Sequence, residues 1–132
     1  MIICKYYVYL LKSTTSNRTY IGYTIDVNKR LKKHNGELSG GAKKTRKGRP
    51  WEIVLFVTGF EFERTALQFE FCIQKPPKRF RKKGPGIKNK MIIMKSLLYK
   101  KEKICSTSPL NSELNLAIFF LNNKSYEIWN SV

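Results

Sequence analysis

The chain has 132 residues, 42% of them hydrophobic, and its 26 Lys and Arg against 9 Asp and Glu give a formal net charge of +17. That apolar share can close a core, which excludes a disordered basic tail, while so large a charge opposes a compact state by self-repulsion unless a polyanion sits on it. The longest apolar runs, residues 53–57 and 116–121, are too short to span a bilayer, and residues 1–11 lack the basic start and small-residue cleavage site of a secretory leader, so an intracellular protein is expected.

In chain order, Tyr6–Leu11 and Thr19–Tyr23 are β-branched and aromatic runs separated by the turn-forming "KSTTSNR", which predicts a hairpin carrying Tyr7-Val8-Tyr9 on one strand and Tyr20-Ile21-Gly22 on the other. "DVNKRLKKHNG" follows. Asp26 is a good N-cap, Val27, Leu31 and Asn35 share one stripe, and Gly36 suits the position after the last turn, so a helix is expected over residues 27–35. "WEIVLFV" reads as a buried third strand and "EFERTALQFEFCIQ" as a second helix stopped by Pro76-Pro77. A third helix is expected near Asn89–Glu102 and a last strand around Leu114–Leu121. The fold class is therefore a small α/β domain: a central three-stranded mixed or antiparallel sheet flanked by helices, with an additional C-terminal helix and strand, the single domain using residues 1–132. Cys4, Cys72 and Cys105 are odd in number and widely spaced, which supports neither a disulfide frame nor a zinc site.

The charge is concentrated. Residues 29–49 hold nine basic groups and one acid, residues 75–90 hold eight basic groups and no acid, and residues 50–74 between them hold four Glu and one Arg. One such run is usually a solvated surface. Two runs interrupted by "SGGA" and "GPG" suit loops that grip phosphates, because glycine lets the backbone approach a ligand closely. Nucleic acid is favoured over a membrane face, since no basic helix with bulky apolar anchors is present. The candidate contacts are Lys12, Lys32, Lys33, Lys43, Lys44, Arg46, Lys47, Arg49, Lys78, Arg79, Arg81, Lys82 and Lys83.

Three further residues stand out. On the second helix Glu70 shares a face with Ala66, Leu67 and Ile73, which points it toward the core, where a carboxylate requires a basic partner or a metal ion. On the first helix Arg30 and His34, the only histidine, are four apart and project together. By themselves these residues fit equally a structural ion pair and two surface groups.

Joined to the hairpin they form a pattern. Tyr7-Val8-Tyr9 and Tyr20-Ile21-Gly22 resemble the paired motifs of the GIY-YIG nuclease superfamily, with Arg30-x-x-x-His34 and Glu70 in the order that family uses. "HNGELSGGAKKTRKGRPWEIVLFVTGFEFERTALQFEF" is similar to the Slx-type branch of structure-selective endonucleases, in its HNG, GGA, basic Thr-containing loop, PWE, GF and FE blocks, and "KSYEIW" resembles the end of that nuclease domain. The likeness covers nearly all of residues 5–130, although Tyr7 stands where the first motif has glycine.

The resemblance implies a divalent-metal-dependent DNA endonuclease acting on branched DNA such as flaps, forks or Holliday junctions. It implies Tyr9 and Tyr20 orienting or deprotonating the attacking water, Arg30 stabilising the transition state, and His34 bonding a tyrosine hydroxyl or moving the proton. It implies Glu70 as the single protein ligand of one ion, Mg²⁺ or Mn²⁺, and Gly22 as the residue that leaves room beside Tyr20. The expected location is the nucleus or a viral replication site in the cytoplasm. Slx-type proteins continue into a RING-like zinc module that docks a scaffold protein. This sequence has no cysteine pairs for one, so it reads as a fragment or a minimal form, with the scaffold partner open. The competing readings are a catalytically silent nucleic-acid-binding module, which would not need both tyrosines, Arg30, His34 and Glu70, and a ribosome-associated basic protein, which explains only the charge.

Overall fold

The computed structural model describes residues 5–76, 78, 86–99 and 116–132. The predicted hairpin is present as β1 (Tyr7–Ser13) and β2 (Thr19–Thr24), in a register that sets Tyr9 opposite Gly22 and Leu11 opposite Tyr20. Its turn is held by Ser13, whose hydroxyl accepts from the Thr15 and Ser16 amides and donates to the Gly48 carbonyl at 2.6 Å. β3 (Trp51–Thr58) pairs antiparallel with the other side of β1, and β4 (Ala117–Phe120) pairs antiparallel with β3. The strand expected near the C-terminus thus completes the sheet, whose order is β2-β1-β3-β4.

Alternation along the strands sorts the side chains to two faces. Tyr9, Leu11, Ile53 and Trp51 form one cluster, which Val27 and Leu31 of α1 (Val27–His34) cover. Val8, Leu10, Ile21, Leu55 and Val57 form the larger core with α2 (Glu63–Gln74), α3 (Ile87–Tyr99) and α4 (Asn123–Ser131). The register of β1 on β3 shifts between Leu10 and Leu11, so that Val54 is an extra residue and joins the larger core. Phe60, Phe69, Ile73, Met91, Ile93 and Met94 are all fully buried there, each contributing about 1.5–3 kcal/mol of transfer free energy.

α1 begins as its sequence requires, with the Asp26 carboxylate accepting from the Lys29 amide, and it ends at Asn35 before Gly36, whose φ of +80° suits the reversal. α2 stops one residue short of Lys75, ahead of Pro76. α3 starts at Ile87, two residues ahead of expectation, and residues 100–102 and 114–115 of the expected elements lie outside the described residues. α4 is an additional helix, capped by the Asn122 side chain on the Ser125 amide and fixed by Trp129, which is 5% exposed. Among the described residues no helix is long and apolar enough to cross a membrane.

Candidate active site

The hairpin register explains the first motif pair. Tyr9 and Gly22 face each other across β1 and β2, and a Cβ on Gly22 would overlap the hydroxyl and Cζ of Tyr9. The room that Gly22 provides is therefore taken by Tyr9, its cross-strand partner, and not by Tyr20 in its own strand. Tyr20 lies diagonally beside Tyr9 on the same face, with ring centroids 6.4 Å apart.

His34 completes this group from the last turn of α1. Its ring lies 5.0 Å from that of Tyr20 and 5.8 Å from that of Tyr9, and its Nε2 is 2.6 Å from the Tyr9 hydroxyl. On its other side Nδ1 is 2.9 Å from the hydroxyl of Thr45, a buried residue that ends the short 3₁₀ turn Lys43–Thr45. The motif blocks around it are the scaffolding of this arrangement. The Asn35 side chain accepts from the Trp51 amide at 2.6 Å and donates to the Trp51 carbonyl at 3.0 Å, while the Trp51 indole N–H donates to the Thr45 carbonyl at 2.8 Å. A Cβ on Gly41 would overlap the Lys33 carbonyl, so the loop can close over α1 only with glycine there.

Burial and charge fix the protonation states. His34 is fully buried, and that burial, with the guanidinium groups of Arg30 and Arg49, pushes its imidazole down to about 4, so it is neutral at physiological pH. Burial holds the Tyr9 and Tyr20 hydroxyls above the ordinary phenol range, against a lowering influence of Arg30 at both. Neither is a phenolate in the free chain. Arg30 is half-buried, and its Nη1 donates to the Gly40 carbonyl at 2.9 Å.

Glu70 reaches the same place from α2. Ala66, Phe69 and Ile73 take the core face of that helix, but Leu67 is 42% exposed and Glu70 only half-buried. The carboxylate therefore sits at the border of the core and not within it. Gln74, one turn further and on the same stripe, donates to the Ile21 carbonyl of β2, the outermost strand on that side. Glu70 is thus brought beside β2, close enough to Tyr9 and Tyr20 to raise both. Burial also raises its own carboxyl. Among the described residues it has no hydrogen bond or ion pair, so the ion-pair reading finds no partner for it, and no cluster of three or more His, Cys, Asp or Glu offers a complete metal cage. One half-buried, uncompensated carboxylate fits a hard divalent cation that keeps several waters and takes its other oxygens from a substrate.

The group opens on a groove of about 810 Å³, lined by Tyr20, Lys43, Lys44, Arg46 and Lys47 and by Arg18 and Lys90, with no acid among its lining residues. Arg18 and Lys90 are not among the contacts expected from sequence: Arg18, in the hairpin turn, lies outside both basic runs, and Lys90, on α3, is the last residue of the second. Lys90 is half-buried, and burial with the nearby Lys44 lowers its ammonium below the usual range. Lys12, Lys32 and Lys33 lie outside the groove lining, and Lys12 donates to the Ser13 carbonyl. Arg49 is exposed, and its Nε donates to the His34 carbonyl at 2.6 Å, which ties the end of α1 to the start of β3. Lys78 is exposed, and Arg79, Arg81, Lys82 and Lys83 lie outside the described residues.

Comparison with known proteins reaches the same group of residues. The model of the GIY-YIG catalytic domain matches residues 5–84. The chain is 38% identical over 140 residues to the structure-specific endonuclease subunit SLX1 of Cryptococcus neoformans, covering 96% of this chain and 28% of that protein. It is 38% identical over 138 residues to the structure-specific endonuclease subunit slx1 of Schizosaccharomyces pombe, covering 100% of this chain and 50% of that protein. It is 47% identical over 81 residues to the structure-specific endonuclease subunit SLX1 homolog 1 of Trypanosoma cruzi, covering 61% of this chain and 15% of that protein. The chain thus spans half or less of the length of these relatives. With most of its length matched by the family model and the two motifs placed on adjacent strands around one histidine, the chain belongs to the GIY-YIG catalytic domain family.

Proposed function

We propose that the chain is an endonuclease that hydrolyses phosphodiester bonds in branched duplex DNA with the help of one divalent cation, Mg²⁺ or Mn²⁺, inside the cell. The observation that carries this reading is the convergence of Tyr9, Tyr20, Arg30, His34 and Glu70 beside an acid-free cationic groove. The names of the relatives support the choice of branched DNA, since a basic groove alone reads backbone and not branch geometry.

The steps follow from the hydrogen bonds. Tyr9 spends its one proton on His34 Nε2, so its remaining lone pairs can accept from a water, and Tyr20 orients that water from the groove side. As the water oxygen attacks phosphorus, its proton moves to the Tyr9 oxygen while the Tyr9 proton moves to Nε2, and the bond from phosphorus to the leaving oxygen breaks. The imidazolium so formed is disfavoured beside Arg30 and Arg49 until an anionic phosphate enters the groove, which ties the base strength of His34 to the presence of substrate. Arg30 faces the charge that builds on the phosphoryl oxygens. Glu70 would hold the cation, which when bound neutralises phosphoryl and leaving-oxygen charge. Lys43, Lys44, Arg46 and Lys47 grip the backbone.

The test is a panel of end-labelled flaps, forks, Holliday junctions and linear duplex, incubated with the chain in Mg²⁺ or in chelator. Incision of the branched members only, and only with the cation, is expected. Tight binding without incision of any member would favour the silent binding module instead.

A further inference from the structure

We infer that Thr45 is a positioning residue for the reaction: it fixes His34 as the Nδ1–H tautomer and thereby makes Nε2 the acceptor of the Tyr9 proton. The inference rests on the function proposed above for its consequence, but not for its geometry.

Proton counting along the chain of contacts leaves one arrangement. The Thr45 hydroxyl oxygen lies 2.7 Å from the Ala42 carbonyl oxygen. Two oxygens at that separation need a proton between them, and only the hydroxyl has one. With its proton spent, the same oxygen can only accept from His34 Nδ1, 2.9 Å away, so Nδ1 carries hydrogen. A neutral imidazole then presents a bare Nε2, and the 2.6 Å contact to Tyr9 is a phenol donating to nitrogen. The reversed order would leave the Thr45 and Ala42 oxygens facing each other without a proton.

Thr45 itself has little freedom to choose otherwise. It is fully buried, its amide donates to the same Ala42 carbonyl at 3.1 Å, and its own carbonyl receives the Trp51 indole. Trp51 is in turn held at both backbone polar groups by Asn35, the residue after His34. The loop between α1 and β3 is therefore closed on itself around one imidazole. In the reversed tautomer Nε2–H would donate to Tyr9, whose proton would then point at the incoming water and repel it.

The experiment uses the single histidine of the chain. Long-range ¹H–¹⁵N spectra of wild type at neutral pH are expected to show a protonated Nδ1 and a bare Nε2 for His34. Thr45→Val keeps the shape and removes the acceptor, so the Nε2–H tautomer should appear, and single-turnover cleavage should slow about 10- to 100-fold, as for loss of an outer partner of a functional histidine. Its DNA affinity should stay within about twofold, since Thr45 is buried away from the groove. Thr45→Ser keeps the hydroxyl and should keep both the wild-type tautomer and a rate within about threefold. A protonated Nε2 in wild type overturns the inference whether or not any variant folds, and so does a wild-type tautomer in a folded Thr45→Val. The Nδ1–H tautomer in a chain that cleaves no DNA would uphold the positioning and refute the function proposed for it.

Discussion

Replacing Gly22 with alanine adds one methyl group where the structure has no place for it. The new Cβ would overlap the hydroxyl and Cζ of Tyr9, whose ring is 2% exposed and packed against Tyr20 and His34, so it has no free volume to swing into. Overpacking of this kind costs about 1–3 kcal/mol. The lower entropy of the unfolded chain returns about 0.4–1 kcal/mol, because Gly22 has no unusual backbone angle to forbid alanine. A net loss of about 1–2 kcal/mol is expected from urea unfolding. The catalytic loss should be larger than the stability loss suggests, because a ring pushed by about 1 Å loses its alignment to Nε2, and displacement on that scale can lower a rate about 100-fold. The assay is a double-mutant cycle with Tyr9→Leu: if the clash is with the Tyr9 ring, Gly22→Ala should be nearly neutral once that ring is gone. Gly22→Ala with wild-type stability and wild-type cleavage would refute the reasoning, as would the same cost in both backgrounds.

Titration of His34, followed by NMR, should give a value well below the usual 6.5 and close to 4. A base whose folded-state value is lowered contributes stability that is present above about pH 6.5 and is lost as pH falls through about 4, by roughly 3 kcal/mol at the lower limit, so this share should be missing from the acid limb of His34→Gln. Arg30→Ala should raise the His34 value, leave melting and DNA affinity nearly unchanged, and slow single-turnover cleavage by about two to three orders of magnitude; a variant that unfolds instead would make Arg30 structural. Changing Lys43, Lys44 and Arg46 to Glu should weaken DNA binding and reduce the log–log salt slope by about one for each phosphate that is no longer neutralised, and an unchanged slope would remove this turn from the duplex.

Much of the fold is legible in the sequence because its signals are local. The hairpin follows from two β-branched runs and a polar turn, α1 from Asp26 and Gly36, and the end of α2 from the Pro76-Pro77 pair. What escapes depends on partners distant in sequence. α4 is nine residues long with only Ser125 and Trp129 buried, too sparse a stripe to read, although Asn122 gives a capping signal. The i±3 and i±4 neighbours of Glu70 point it inward, yet α2 lies along the side of β2, so the same stripe meets Ile21 and Tyr20 at a border. Spacing within one strand pairs Gly22 with Tyr20, and only the register across the hairpin shows that Tyr9 fills its room. Thr45 sits inside a charge run that overshadows it, and only the fold brings its hydroxyl to His34, eleven residues away.

Metal-dependent cleavage turns on Glu70. Glu70→Gln keeps the shape of the side chain and removes the charge that would hold the cation. Burial raises this carboxyl and no partner among the described residues holds it ionised, so the ionised acid costs stability at pH 7, a cost relieved only as pH falls through its folded value. At pH 7 the variant should therefore melt at or above the wild-type temperature and bind a flap substrate at least as tightly. Mg²⁺-dependent single-turnover cleavage of that flap, measured with the enzyme saturating the DNA, should then be abolished in the variant and present in wild type. Cleavage at the wild-type rate by a folded, DNA-bound Glu70→Gln would contradict the proposed mechanism at its centre.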